Sequence, residues 1–524
     1  MGTPGGNQRM NLGLLLGQHS RYRPDHLAVV CEDERLTFRE LEAQVNRLAN
    51  ALLSLGLRKG HKLAVVLPNC LELLNVYRAA ALTGIVVVPL SPLLRGPGLI
   101  SLLRDSDSTT VISCGAMIEA LNEARRELPA IESDRYILTD APASAGYRNL
   151  AELTAAASES APRVHIGDDD VYNIIYSSGT TGLPKGIVHT HYIRAVYGMM
   201  FAGSYRFTPE SVVMHAGSLV FNGAFVTLMP AWFLGCTYIL QKRFDAVAFI
   251  ETVRKEKVTH VMMVPSQIVA VMNAPNFSAE ALSSLQMLCS VGAPLHREHK
   301  ERLLQTLGGC LYELYGLTEG FVTILDSADF ASKIDSVGVP PPFVEMRILG
   351  EYGEDITVGE IGEIAGRGPL LMPGYYKRPD LTAQAIVDGW LHTGDMGYVD
   401  QDGFLYLVDR KKDLIISGGV NVFPKDIEEI VVQHPHVREV AVFGIQHEKW
   451  GEAPVAAVIL KESGAVEADE LREWVNARVA ARYQQVCKVL ILEDFPRSVA
   501  GKTLKRVLRD EFATPVTTTS GVVA

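Results

Sequence analysis

Tyr176-Ser-Ser-Gly-Thr-Thr-Gly-Leu-Pro-Lys-Gly186 follows directly on Val171-Tyr-Asn-Ile-Ile175, an apolar run that reads as a buried strand. Glycines let the backbone turn its N–H groups inward into an anion-binding concavity. Ser177, Ser178, Thr180 and Thr181 add short donors, and Lys185 adds a point charge. That chemistry suits a polyphosphate. The stretch is not a Walker A loop, which needs Gly, four residues, then Gly-Lys-Ser/Thr; here Pro184 precedes the lysine and Gly186 follows it. The Gly501-Lys502-Thr503 triplet has Pro496 where the leading glycine would stand. Taken alone, the cluster reads equally as a surface loop, so its meaning rests on its surroundings.

Around it the chain alternates strand-like and helix-like segments. Leu27–Val30 is a short strand, and Thr37-Phe-Arg-Glu40 is a capping box ahead of Leu41, Val45, Leu48, Leu52 and Leu53 at helical spacing. Strands over 63–67 and 85–90 bracket a helix over 71–82, and the pattern returns at 246–256 (helix), 260–264, 287–291 and 311–315 (strands). Near-continuous Val/Ile/Leu runs in such alternation predict buried parallel sheets. Residues 125–165, richer in Ala, Ser, Pro and Glu, read as a connector or peripheral elaboration. Beyond Arg410-Lys-Lys-Asp413 the character changes: a helix opening at Pro424, strands over 440–445 and 455–460, a long helix over 468–481 and a final basic helix. The expectation is an α/β protein with a large N-terminal domain (1–409) of parallel-rich sheets flanked by helices. A hinge at 410–412 leads to a small mobile α+β C-terminal domain (413–512), and the tail 513–524 is expected to be disordered.

Composition narrows the function. At 524 residues the chain exceeds what one core usually serves, and 48% hydrophobic with 21% charged residues is ordinary for a globular protein. A net charge of −11 argues against a nucleic-acid binder working through a broad basic surface. Seven scattered cysteines without a C-x-x-C pair fit reduced thiols rather than a disulfide or zinc framework. The apolar stretch 79–94 is broken by Gly84, Pro89 and Pro92, so no integral membrane segment is expected, and the cytoplasm is the default location.

Further motifs stand at strand ends. Ser290-Val-Gly-Ala-Pro-Leu295 lies at the carboxyl end of a strand, where open α/β sheets bind ligands. Tyr315-Gly-Leu-Thr-Glu319 offers an aromatic face, a close-approach glycine, a hydroxyl and a carboxylate within five residues. Trp390-Leu-His-Thr-Gly-Asp395 places an acid after a turn, with Arg410 on the next strand, and Lys502 sits on a glycine turn entering the last helix.

In these motifs, their order and their spacing, the chain from about Leu27 to Arg509 closely resembles the adenylate-forming acyl- and aryl-CoA synthetases. The resemblance implies two half-reactions. A carboxylate attacks the α-phosphate of Mg·ATP, giving an acyl-adenylate and pyrophosphate; the thiol of coenzyme A then attacks the acyl carbon and releases AMP. It implies ATP, Mg²⁺ and coenzyme A as cofactor or cosubstrates, and a small-molecule carboxylate as partner. Phosphate would be bound by Ser177, Ser178, Gly179, Thr180, Thr181, Gly182 and Lys185. Adenine and ribose would meet Gly292, Ala293, Pro294, Glu313, Tyr315, Gly316, Asp395 and Arg410. Thr318, Glu319 and Lys502 would be catalytic, with Glu319 holding the metal. Lys412 matches the family's hinge, and Ser417, Gly418 and Gly419 would face coenzyme A. Taken one at a time, Tyr315 also suits a core tyrosine, Arg410 a surface ion pair, and Lys502 a solvated lysine in a basic stripe.

Phe221, Asn222, Gly223 and Leu314 would line the acyl pocket, and two of them depart from the commoner pattern. Asn222 stands where a histidine is usual, and Leu314 where many long-chain and aryl enzymes have glycine. Asn hydrogen-bonds without titrating near neutrality, and Leu narrows a tunnel. Both point to a short- or medium-chain or aromatic acid. An acyl-AMP ligase loading a carrier protein is the enzymatic rival, but no fused carrier domain is visible; a luciferase-like monooxygenase is a further one. The rival of another class is an inactive nucleotide-binding scaffold. A homodimer is expected only from how common that state is among soluble enzymes.

Overall fold

The computed structural model describes residues 10–141, 146–177, 185–410, 413–417, 420–447, 450–497 and 503–512. By contacts the chain divides into two compact units. One comprises the residues up to Met346 with Gly366–Leu391, the other Arg347–Ala365 with the chain from His392 onward.

Among the described residues, two sheets lie wholly within the first unit. In the eight-stranded sheet, Leu311–Gly316, Met287–Val291, His260–Met263, Val212–His215, Thr237–Leu240 and Leu27–Cys31 lie side by side in that order. All these neighbours are parallel, and an antiparallel strand closes each edge, Val322–Leu325 and Glu34–Thr37. The seven-stranded sheet runs Arg148–Asn149, Tyr136–Leu138, Ser108–Ser113, Lys62–Val66, Val86–Pro89, Val171–Ser177, Lys185–Thr190, parallel until its last pair. Its strands are apolar on both faces because helices cover both, so Leu63, Ala64, Val65, Val87, Val111 and Ile174 are fully buried in one core. The stretch expected as a connector supplies the outermost two strands at one edge of this sheet, Tyr136–Leu138 and Arg148–Asn149, and the short helix Leu150–Ala155.

Local signals behave as chemistry dictates. The Thr37 hydroxyl accepts from the Glu40 N–H while Glu40 Oε2 accepts from the Thr37 N–H, and the helix Phe38–Ser54 begins there. Gly320 has φ of +115°, and a Cβ there would sit 2.0 Å from the Leu370 carbonyl oxygen, so the turn after Glu319 admits only glycine.

In the second unit, Ile415–Ser417, Val420–Val422, Val437–His447, Gly451–Leu460 and Lys488–Ile491 form a mixed sheet with the helices Pro424–Val431, Ala468–Asn476 and Lys505–Phe512. The helix expected over 468–481 stops five residues early. The Asn476 amide donates to the Val486 carbonyl and accepts from the Val486 N–H, at 3.0 and 2.8 Å, and this side-chain pairing with a distant backbone competes with helix continuation. No helix among the described residues is long and apolar enough to cross a membrane.

Four buried histidines of the first unit make its stability acid-sensitive. Desolvation holds His191, His215 and His260 down to about 4 and His189 well below the ordinary 6.5. Each is neutral when folded, so the unfolded chain binds more protons as pH falls from 6.5 towards 4. Stability drops through that window by about 1.4 kcal/mol per pH unit for each histidine. Urea unfolding at about pH 5 should therefore show a stability roughly 4 kcal/mol or more below that at about pH 7.5. Coincident urea midpoints at both pH values would contradict this reading.

Candidate active site

Ser177 and Lys185 stand opposite each other as the last described pair of the antiparallel strands Val171–Ser177 and Lys185–Thr190. Ser178, Gly179, Thr180, Thr181 and Gly182, which lie between them in sequence, fall outside the described residues, as do Lys412, Gly418, Gly419 and Lys502.

The carboxyl ends of the neighbouring parallel strands Met287–Val291 and Leu311–Gly316 bring the expected nucleotide residues together. Val291 pairs with Leu314, so Gly292, Ala293 and Pro294 leave one strand, exposed, beside the point where Tyr315 and Gly316 leave the next. Tyr315 is half-buried and meets Phe321 edge-on, with ring centroids 6.2 Å apart. Gly316 is an unstrained close approach: a Cβ there would meet the Phe321 carbonyl oxygen at 2.7 Å.

Beyond Gly316, Thr318 and Glu319 sit in a turn held from two sides. His189 Nε2 donates to the Thr318 carbonyl at 2.9 Å, and the Met372 N–H donates to the Glu319 carbonyl at 2.8 Å. The Glu319 carboxylate accepts from the Tyr375 hydroxyl at 2.9 Å. Tyr375 is the residue that sequence reasoning missed. Its segment pairs with the strand Lys185–Thr190 through the bridge Ile187–Tyr375 and through Tyr376 N–H donating to the Gly186 carbonyl at 2.7 Å. Lys185 Nζ lies 4.8 Å from the centre of the Tyr375 ring. One side chain thus joins the lysine of the phosphate-type loop to the carboxylate of the turn. Burial, then the adjacent Glu319 charge, push the Tyr375 phenol up, so it remains a donor. The available signal was Gly374-Tyr-Tyr376, an aromatic pair after a glycine, which has no periodicity to mark it.

Asn222 opens a short 3₁₀ turn, Asn222–Ala224, that leads into the helix Phe225–Leu234. Its Nδ2 donates to the Tyr197 hydroxyl at 3.2 Å. Phe221 is half-buried against the main core, Leu314 is buried within it, and a Cβ on Gly223 would just touch the Met262 methyl at 3.9 Å.

Glu313 stands apart from the rest of the expected nucleotide set. It is buried within the strand and forms an ion pair with the equally buried Lys300, whose Nζ also donates to the Ile334 carbonyl at 2.8 Å. In the second unit Asp395 and Arg410 are register partners on adjacent strands, with Arg410 Nε 3.0 Å from Asp395 Oδ1. Ser417 is buried at the end of its strand, opposite both Val420 and Gly451.

Ser177 and Lys185 thus end a strand pair that Tyr375 joins to the turn of Thr318 and Glu319 at the carboxyl edge of a parallel sheet. The model of the AMP-binding enzymes matches residues 16–376, and that of the AMP-binding enzyme C-terminal domain matches residues 426–502. The chain belongs to the AMP-binding enzymes. Within them it falls in the adenylate-forming CoA synthetase superfamily. It is 34% identical to a feruloyl-CoA synthase of Amycolatopsis sp over 513 residues, 96% of this chain and 100% of that one. It is 33% identical to the long-chain-fatty-acid–CoA ligase FadD13 of Mycobacterium tuberculosis over 516 residues, 97% of this chain and 99% of that one. Among solved structures, ATP-bound MatB from Rhodopseudomonas palustris superimposes with a TM-score of 0.87 at 27% identity, covering 96% of this chain and 99% of that one.

The Glu313 pair separates a structural role from a ligand-binding one. Glu313→Gln leaves Lys300 buried without its counter-charge and should cost about 3–5 kcal/mol of stability. ATP affinity of the folded fraction should stay within about twofold. Lost ATP binding with unchanged stability would return Glu313 to the nucleotide site.

Proposed function

We propose that this AMP-binding enzyme is an ATP-dependent carboxylate–CoA ligase that activates a short- or medium-chain or aromatic acid through an acyl-adenylate. The observation that carries the reading is the joining of Lys185, Tyr375 and Glu319 beside the backbone of Thr318.

In this reading Ser177 to Lys185 bind the β- and γ-phosphates, and Thr318 donates to the α-phosphate where the acid carboxylate displaces pyrophosphate. Tyr315 stacks on adenine with Gly292, Ala293 and Pro294 beside it, while Asp395 accepts from the ribose hydroxyls and Arg410 orients Asp395. A hard cation fits at Glu319. That carboxylate has Tyr375 as its hydrogen-bond partner among the described residues, so it retains lone pairs for an ion that also takes phosphate oxygens. Mg²⁺ held there would neutralise phosphate charge. Lys502 supplies the cation between the incoming carboxylate and the α-phosphate.

Lys412 serves as the hinge by which the C-terminal part presents first Lys502 and then the strand end at Ser417 to the site, as coenzyme A replaces pyrophosphate. The cytoplasm fits this chemistry, since all seven cysteines are free. A compact acid is favoured by Leu314, buried where a glycine would leave space.

Pyrophosphate release is the test, over a panel from acetate through medium-chain acids to benzoates and cinnamates, with and without coenzyme A. Release sustained only with coenzyme A, and an optimum among compact acids, is the expected result. Release sustained by a carrier protein instead would favour the acyl-AMP ligase, no release with any acid the scaffold, and equal turnover of palmitate would remove the size limit. Lys412→Pro should slow thioester formation by about tenfold or more while adenylation persists. An unchanged thioester rate would remove the hinge assignment.

A further inference from the structure

Arg194, on the helix His191–Ser204, has no solvent exposure at all. Its Nε donates to Asn173 Oδ1 at 3.2 Å, but Nη1 and Nη2 have no hydrogen-bond partner. It forms no ion pair among the described residues. Its charge rests against aromatic rings instead, 4.0 Å from the centre of Phe225 and 4.8 Å from that of Tyr197. Burial lowers it to about 10, against the support of Tyr197, Tyr172 and Tyr77, so it is cationic at neutral pH. A buried guanidinium without a counter-ion is costly, and a leucine of similar reach would suit the surrounding core better.

Its position gives that cost a purpose. Tyr197, one turn along the helix, accepts from Asn222, and Phe225 follows Asn222 by three residues. Asn173 pairs in register with His189, which donates to the Thr318 carbonyl. Arg194 therefore stands one side chain from the expected acyl pocket and two from the turn expected to meet the α-phosphate. Asn173 Nδ2, also buried and without a hydrogen-bond partner, is a second donor in the same cluster. Two guanidinium nitrogens and an amide nitrogen, all donors, describe a carboxylate receptor.

We propose that the acid activated by this enzyme carries a second carboxylate, received by Arg194 and Asn173 while the first is adenylated. The proposal rests on the ligase reading and narrows its substrate class to diacids with a compact body. Because neither Nη is accessible to solvent, the acid displaces a side chain on entry. Asn222, half-buried and held through the single Tyr197 hydrogen bond, has the least to lose.

The test measures kcat/KM by pyrophosphate release for matched acids: hexanoate and adipate, octanoate and suberate, benzoate and each benzenedicarboxylate. At least one diacid should exceed its monoacid by about tenfold or more. Arg194→Met should collapse that ratio towards one, and Arg194→Lys, which keeps the charge and tolerates burial better, should retain part of it. Monoacids preferred in every pair, or a ratio unmoved in both variants, would overturn the proposal and leave the ligase standing. Silence towards every acid in the presence of coenzyme A would overturn both.

Discussion

The Tyr375 hydroxyl bound to Glu319, with Lys185 against its ring, is the contact on which the site's geometry depends. Neither residue it joins is rigid by itself. Lys185 is the first residue of a strand and Glu319 lies in a turn, and each would otherwise sample several rotamers. Backbone pairing fixes the tyrosine instead. The Met372–Tyr376 segment bonds to the Glu319 carbonyl at one end and to Gly186 at the other. Gly320 makes this approach possible, because any side chain there would collide with the Leu370 carbonyl. The two sheets of the first unit are thereby tied at the point where phosphate chemistry is expected.

Much of this was legible in the chain because buried parallel strands announce themselves as unbroken Val/Ile/Leu runs, and the strand ends carry their glycines and hydroxyls with them. Ala246–Glu256 and Met287–Val291 have the ends that periodicity assigned. What stayed hidden was settled by partners far away in sequence. The helix after Ala468 is cut short by an Asn476 amide that finds Val486. Glu313 sits among neighbours expected to face a nucleotide, yet strand alternation turns its side chain inward onto Lys300. Tyr375 has no local pattern, and only the pairing of its segment with Lys185–Thr190 gives it a role.

Arg194 illustrates the same limit from the other side. On a helix rich in apolar residues an arginine reads as a solvent-facing position, since arginines are almost never fully buried unless paired. Here the face that carries it is turned inward by Ile193, Val196 and Tyr197, all buried beside it. The cation is stabilised by ring faces and one amide, a weaker solution than a carboxylate. A fold that keeps such a group has either a compensating ligand or an unrecovered cost.

Asn222 is understood through the same cluster. A histidine at that position could titrate near neutrality, and beside a permanent cation it would be driven towards its neutral form, as His189 is by burial and by Arg194 together. An asparagine offers a donor and an acceptor without that dependence. With Nδ2 spent on Tyr197, its buried Oδ1 has no hydrogen-bond partner among the described residues. On the proposed reading, a pocket wall that cannot change charge is linked through Tyr197 to a cation that keeps its own near neutrality, so the polarity of the proposed acyl site would not depend on pH there.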